Sequence, residues 1–150
     1  MPYLVDTPLL LRLANPSDPQ FAVADNAVSR LEKQGERLHI APQNLVEFRN
    51  GATRPTVVNG LGLPPSDAEE QAEAFEEKFR LLPETPEIYP AWKKLVSTAG
   101  VTGKQVHDAR LVAICQVYGI TYILTFNVRH FARMALYEPG VTIVDPISIL

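Results

Sequence analysis

The chain has 150 residues, of which 46% are hydrophobic and 21% charged, and a net charge of -3. That is the size and make-up of one ordinary globular domain, long enough to bury a core without staples. A single cysteine, Cys115, excludes an intrachain disulfide framework and a cysteine-rich zinc site. No apolar run approaches the ~18–20 residues that cross a bilayer.

The opening stretch, MPYLVDTPLLLRL, has no basic region ahead of its apolar residues and carries Asp6 within them. It does not read as a signal peptide, so the cytoplasm is the expected compartment. Tyr3-Leu4-Val5 suits a buried strand. Thr7-Pro8 then reads as a capping residue followed by proline at the first helical position, with the helix running until Asn15-Pro16 breaks it. Residues 20–34 are amphipathic through Phe21, Ala24, Val28 and Leu31, and Gly35 ends that helix. Leu38 to Ala41 reads as a second strand. Pro42 opens a helix carrying Leu45, Val46, Glu47 and Phe48, which Gly51 is expected to end. Residues 51–65, rich in glycine and proline, form a loop.

Ser66-Asp67-Ala68-Glu69 has the form of a capping box opening an acidic helix. Thr85-Pro86 starts the next helix and Gly100 closes it; Trp92 and Leu95 on it are core candidates that could instead face a partner. Thr102-Gly103-Lys104-Gln105 is a second capping-box pattern, followed by a helix through Val106, Ala109, Val112 and Val117 to Gly119. Thr121 to Leu124 is a strand, a short helix follows Asn127, and Val141 to Val144 is a last strand. There is no internal repeat. Apolar strands alternating with helices predict a three-layer α/β/α fold around a central, mainly parallel sheet, in a single domain spanning residues 1–150. In such sheets ligands bind beyond the carboxyl ends of the strands, which points to Asp6 and to Thr125 through Asn127.

Charge is unevenly spread. Residues 66–77 hold six acids and no base, so the rest of the chain carries a net +3. From Lys104 to Arg133 the bases are Lys104, Arg110, Arg129 and Arg133 against the one acid Asp108. A locally basic face on an acidic protein is compatible with a nucleic-acid partner, and equally with scattered surface charge.

Three acids sit where the pattern wants apolar or interior side chains. Asp6 closes the first strand, Glu47 interrupts Leu45-Val46-Glu47-Phe48, and Asp108 stands three and four residues before Leu111 and Val112. Each has a bland reading: Asp6 as a helix cap, Glu47 exposed or paired with Arg49 or Arg54, Asp108 complementing the helix dipole, and Asn127 as an N-cap. Buried carboxylates gathered in one place would repel one another, and a divalent cation relieves that repulsion; hard oxygen ligands select Mg²⁺ or Mn²⁺.

Leu4-Val5-Asp6-Thr7 resembles the opening motif of PIN domains, Asn44 to Phe48 their second acidic segment, Val106 to Ala113 the third, Ile123 to Phe131 the fourth, and Val141 to Pro146 the closing strand. The ordered set spans nearly the whole chain. Within that family it is similar to the VapC-like toxins of bacterial and archaeal toxin–antitoxin pairs. The resemblance implies a metal-dependent RNA endonuclease with Asp6, Glu47 and Asp108 as catalytic acids holding Mg²⁺ or Mn²⁺, and Asn127 where many members place a fourth Asp. It implies accessory roles for Thr125 and His130, an RNA substrate, a homodimer and a cognate antitoxin protein. Arg12, Arg49, Arg110 and Arg129 are candidate phosphate contacts. Three departures stand out. Asn127 brings an oxygen without charge, His130 stands where Asp is common, and Pro8 replaces a usual Asn. They motivate an alternative: a catalytically weakened module that binds RNA or an antitoxin without cleaving. A phosphoacceptor domain is disfavoured, because no second acid adjoins Asp6 and no lysine follows a strand end.

Overall fold

The computed structural model describes residues 1–149. Its centre is β1 (Pro2–Val5). β2 (Arg37–Ile40) and β4 (Tyr122–Leu124) pair on either side of it, and β3 (Arg80–Leu81) and β5 (Thr142–Val144) lie outside them. All four pairings are parallel, with Leu4 in register with His39 on one side and Ile123 on the other. Helices α1 (Thr7–Leu13), α2 (Phe21–Lys33), α3 (Pro42–Thr53), α4 (Pro65–Lys78), α5 (Ile88–Ala99), α6 (Gln105–Tyr118) and α7 (Val128–Ala135) connect successive strands, as the alternation predicts.

Alternation along β1 builds the layers. Successive side chains of a strand point to opposite faces. Tyr3 and Val5 therefore join a core with Leu9, Leu10, Val28, Leu31, Phe48 and Phe75, from α1 to α4. Leu4 joins a second core with Leu95, Val112, Ile114, Ile123 and Phe131, which packs α5 to α7 on the other face. This is the expected three-layer arrangement, with a sheet that is wholly parallel among the described residues.

Several local expectations are corrected. Thr7 is not the cap of α1 but its first residue; Asp6 is the N-cap and accepts from the Thr7 amide. Gly51 does not end α3, which continues to Thr53. A β-carbon on Gly51 would lie 2.9 Å from Leu11 Cδ1, so this glycine marks the close approach of α1 to α3. Neither capping-box pattern is used. α4 starts two residues early, at Pro65 with Pro64 rather than Ser66 at the cap position, and that cap makes no side-chain bond. Gly103 takes φ +59° between Thr102 and α6, whose cap residue is Lys104. α5 begins at Ile88, later than Thr85-Pro86 suggests. Leu95 is buried and Trp92 half-buried against the α6 side, where the Trp92 indole donates to the Val106 carbonyl at 2.7 Å.

Phe48, fully buried and in edge contact with Phe75 at 5.0 Å, clamps α3 to α4. Truncation leaves a cavity that surrounding helices cannot fill. Phe48→Ala is expected to lower the free energy of unfolding by about 3–5 kcal/mol in urea titration.

Candidate metal and active site

The carboxyl ends of β1 and β4 lie side by side, since Val5 is in register with Leu124 and the Asp6 amide donates to the Leu124 carbonyl. Asp6 is only 3% exposed there. Both its oxygens are engaged: Oδ1 accepts from the Thr7 amide at 2.9 Å and Oδ2 from the Thr125 hydroxyl at 2.7 Å. Thr125, fully buried, is pinned in turn, because its hydroxyl oxygen accepts from the Asn127 amide at 2.9 Å and its own amide donates to the Val144 carbonyl. The loop leaving β4 is thus tied to the acid leaving β1. Asn127 occupies the cap position of α7, yet its side chain makes no cap bond.

Glu47 reaches the same region from α3. Its Oε1 accepts from the Thr7 hydroxyl at 2.7 Å, which links it within one residue of Asp6. The Thr7 oxygen also accepts from Asn44 Nδ2 at 3.2 Å, and Asn44 Oδ1 accepts from the Ala41 amide at 2.8 Å. Asn44 is completely buried. Its amide closes the start of α3 while orienting Thr7, two tasks that no apolar residue could perform. Sequence reasoning passed over Thr7, Gln43 and Asn44 as members of the site. For Asn44 the available signal was a polar side chain beside an apolar run.

Asp108 lies in the first turn of α6, half-buried. The exposed His130 of α7 brings Nδ1 to 3.9 Å from Asp108 Oδ2. The electrostatics join these acids. Burial pushes the Asp6 carboxyl up to about 7; hydrogen bonds from Thr125 and Thr7 oppose the rise, and the charges of Asp108 and Glu47 add to it. Asp108 is pushed up to about 6, first by burial, with His130 and His107 lowering it and Glu47 raising it. Residues from four separate segments therefore feel one another's charge, as expected for acids that converge.

The convergence is not a finished cage. Among the described residues, no group of three or more His, Cys, Asp or Glu side chains is disposed to hold a metal ion. The hydrogen bonds explain the posture: Asp6 and Glu47 spend their oxygens on Thr7, Thr125 and Gln43.

Of the four arginines expected to meet phosphate, three are engaged elsewhere. Arg12 pairs with Asp18 and bonds Gln20, Arg49 pairs with Glu69, and Arg110 makes a two-pronged pair with Glu84. Arg129 is exposed and, among the described residues, has no ion pair or side-chain hydrogen bond. It directly precedes His130 in the first turn of α7.

The PIN domain model matches residues 3–136 of this sequence. The chain therefore belongs to the PIN domain family. No significant match is found among curated proteins. Solved structures share its fold at low identity. VapBC2 from Rickettsia felis, bound to a DNA fragment from its promoter, superposes with a TM-score of 0.71 at 14% identity, over 97% of this chain and 98% of that one. VapBC-1 from nontypeable Haemophilus influenzae gives 0.69 at 18% identity, over 97% and 98%. VapC20 from Mycobacterium tuberculosis, a toxin that cleaves the sarcin–ricin loop, gives 0.61 at 21% identity, over 87% and 93%.

PIN domains are nucleases that generally use divalent metal ions. The chemistry of this site fits such an ion. Its donors are all hard oxygens, and the two acids with raised affinity for protons are held up by burial and by neighbouring negative charge, both of which a dication would relieve.

Proposed function

We propose that this protein is a metal-dependent RNA endonuclease acting as the toxin of a toxin–antitoxin pair. The observation that carries the reading is the shared field of Asp6, Glu47 and Asp108 at the carboxyl ends of β1 and β4 in a chain of the PIN family. In it, Asp6, Glu47 and Asp108 hold Mg²⁺ or Mn²⁺, with the Asn127 side-chain oxygen as a neutral fourth donor. When bound, the ion supplies Lewis acidity toward a phosphodiester and lowers the pKa of an attacking water. Thr125 fixes the rotamer of Asp6, and Thr7 that of Glu47. Arg129 meets a phosphate of the RNA backbone, and His130 stands beside Asp108 where it can donate to the same strand.

Structures that share this fold support the choice of partners: several are VapBC pairs, two of them bound to DNA, and one is a toxin that cleaves the sarcin–ricin loop. The proposal extends to a cognate antitoxin, a homodimer and a cytoplasmic setting. No helix among the described residues is long and apolar enough to cross a membrane.

Purified protein is expected to cleave RNA with Mg²⁺ or Mn²⁺ and to stop when a chelator is added. Cleavage that continues unchanged in chelator would remove the metal from the reading. Arg129→Ala should weaken RNA binding several-fold across sequences and reduce the slope of log affinity against log salt by about 0.7–1. A slope identical to wild type would show that Arg129 meets no phosphate.

A second reading is favoured by the open disposition of the acids and by the neutral Asn127: a module that binds RNA or an antitoxin without cutting. It requires RNA binding with no cleavage and no rise in melting temperature on adding Mn²⁺. A clear Mn²⁺-dependent rise counts against it.

A further inference from the structure

Gln43 sits one turn before Glu47 on α3 and makes three contacts with its one amide. Nε2 donates to Glu47 Oε2 at 3.1 Å and to the His107 carbonyl at 2.8 Å, while Oε1 accepts from Arg110 Nη1 at 3.2 Å. The amide can point only one way. Flipped, its oxygen would face a carboxylate and a carbonyl, and its nitrogen a guanidinium, turning three attractive contacts repulsive. Arg110 is itself anchored, at 2.6 Å and 3.2 Å, by both oxygens of Glu84.

Two consequences follow from this placement. Glu47 is held at both oxygens, by Thr7 from α1 and by Gln43 from its own helix. And the residue that Gln43 grips on α6, His107, immediately precedes Asp108. One side chain therefore aims one acid and fixes the backbone next to another, on a helix 64 residues away in sequence. Glu84 and Arg110 brace that side chain from outside the acidic group.

We propose that Gln43 is a positioning residue for the acidic site, setting the separation of Glu47 and Asp108 and through it the affinity for a divalent cation. The inference rests on the reading of Glu47 and Asp108 as metal ligands. It also gives Arg110 a role as brace rather than phosphate contact. Partners that orient a metal's ligands typically govern affinity by roughly 10–100-fold when removed.

Mn²⁺ titrations by calorimetry of wild type, Gln43→Met, Arg110→Met and Asp108→Asn test it, with the metal-free melting temperature of each as a fold control. Gln43→Met keeps length and volume but has no amide. It should bind Mn²⁺ at least about tenfold more weakly, melt near wild type without metal, and lower kcat for RNA with KM unchanged. Arg110→Met, which leaves the Gln43 N–H groups in place, should weaken Mn²⁺ less. If Asp108→Asn loses Mn²⁺ while Gln43→Met binds like wild type, the positioning role is wrong and the metal site stands. If Asp108→Asn binds Mn²⁺ like wild type, or wild type binds none, the metal-site reading fails and the positioning role with it. If Gln43→Met melts early, the Arg110→Met affinity decides: unchanged Mn²⁺ binding in that folded variant overturns the proposal.

Discussion

Asp6→Asn is expected to cut RNA slower than wild type by on the order of 10³-fold or more, since a catalytic ion supplies several kcal/mol of charge stabilisation that depends on its ligands. The substitution is nearly isosteric and spares the fold. The asparagine oxygen can still accept from the Thr7 amide, preserving the cap of α1. The Thr125 hydroxyl, which donates to Asp6 and accepts from Asn127, has a second lone pair with which to accept from the new amide. What is lost is one negative charge at the deepest point of the site. Asp108→Asn should behave alike, and the two losses should not multiply, because groups serving one ion fail as a unit. Steady-state cleavage of a fluorogenic RNA in Mg²⁺ measures all three. Activity within threefold of wild type in Asp6→Asn would remove Asp6 from the chemistry.

What the sequence disclosed and what it concealed divide along a physical line. β1 was legible because an apolar strand ended by an acid and then a Thr-Pro helix start is a local pattern. The alternation of apolar strands with amphipathic helices sufficed for the three layers, for the same reason. β3 was not legible: it is two exposed residues whose strand character comes from pairing with His39 and Ile40. The helix starts at Pro65 and Gln105 defeated the capping-box patterns, because α4 begins on a proline ahead of Ser66 and the left-handed Gly103 after Thr102 leaves Lys104 at the cap of α6. Gly51 looked like a stop signal and is a contact point, a distinction that depends on Leu11 forty residues earlier.

The site divides in the same way. Asp6, Glu47 and Asp108 stood out as charges in apolar surroundings. The residues that hold them, Thr7, Asn44 and Gln43, act through partners that only the fold supplies. The arginines show the opposite failure. The stretch from Lys104 to Arg133 suggested a basic face, yet Glu84 neutralises Arg110 from another segment, as Glu69 does the phosphate candidate Arg49. Counting charges detects net surplus and not pairing, and of the four candidate arginines Arg129 alone has no ion pair or side-chain hydrogen bond among the described residues.

Stability without metal should fall as pH rises, and Asp6 is the main cause. Its carboxyl titrates near 3.8 when unperturbed and at about 7 in the folded protein, where burial penalises the charged form. Between those values the native state holds a proton that the unfolded chain has released, so native binds more protons than unfolded. The slope of unfolding free energy with pH is then negative through that window, and flat above it. The full effect is roughly 4 kcal/mol, on the order of 10 °C in melting temperature for a chain this long. Asp108, raised to about 6, acts in the same direction. His39 opposes them: buried at β2 and lowered in affinity for protons, it makes the native state gain stability as pH rises toward its unperturbed value. The comparison of wild type with Asp6→Asn cancels that contribution. In chelator, wild type should melt lower at about pH 8 than at about pH 5.5, and Asp6→Asn should lose most of that difference and be the more stable protein at the higher pH. Saturating Mn²⁺ should reverse the order, because an ion that competes with the proton binds more tightly as pH rises and stabilises only the folded state that offers the ligands. Parallel pH profiles for the two proteins in chelator would mean that Asp6 is ionised in the fold without penalty. The charge held there would then be no reservoir for binding a cation.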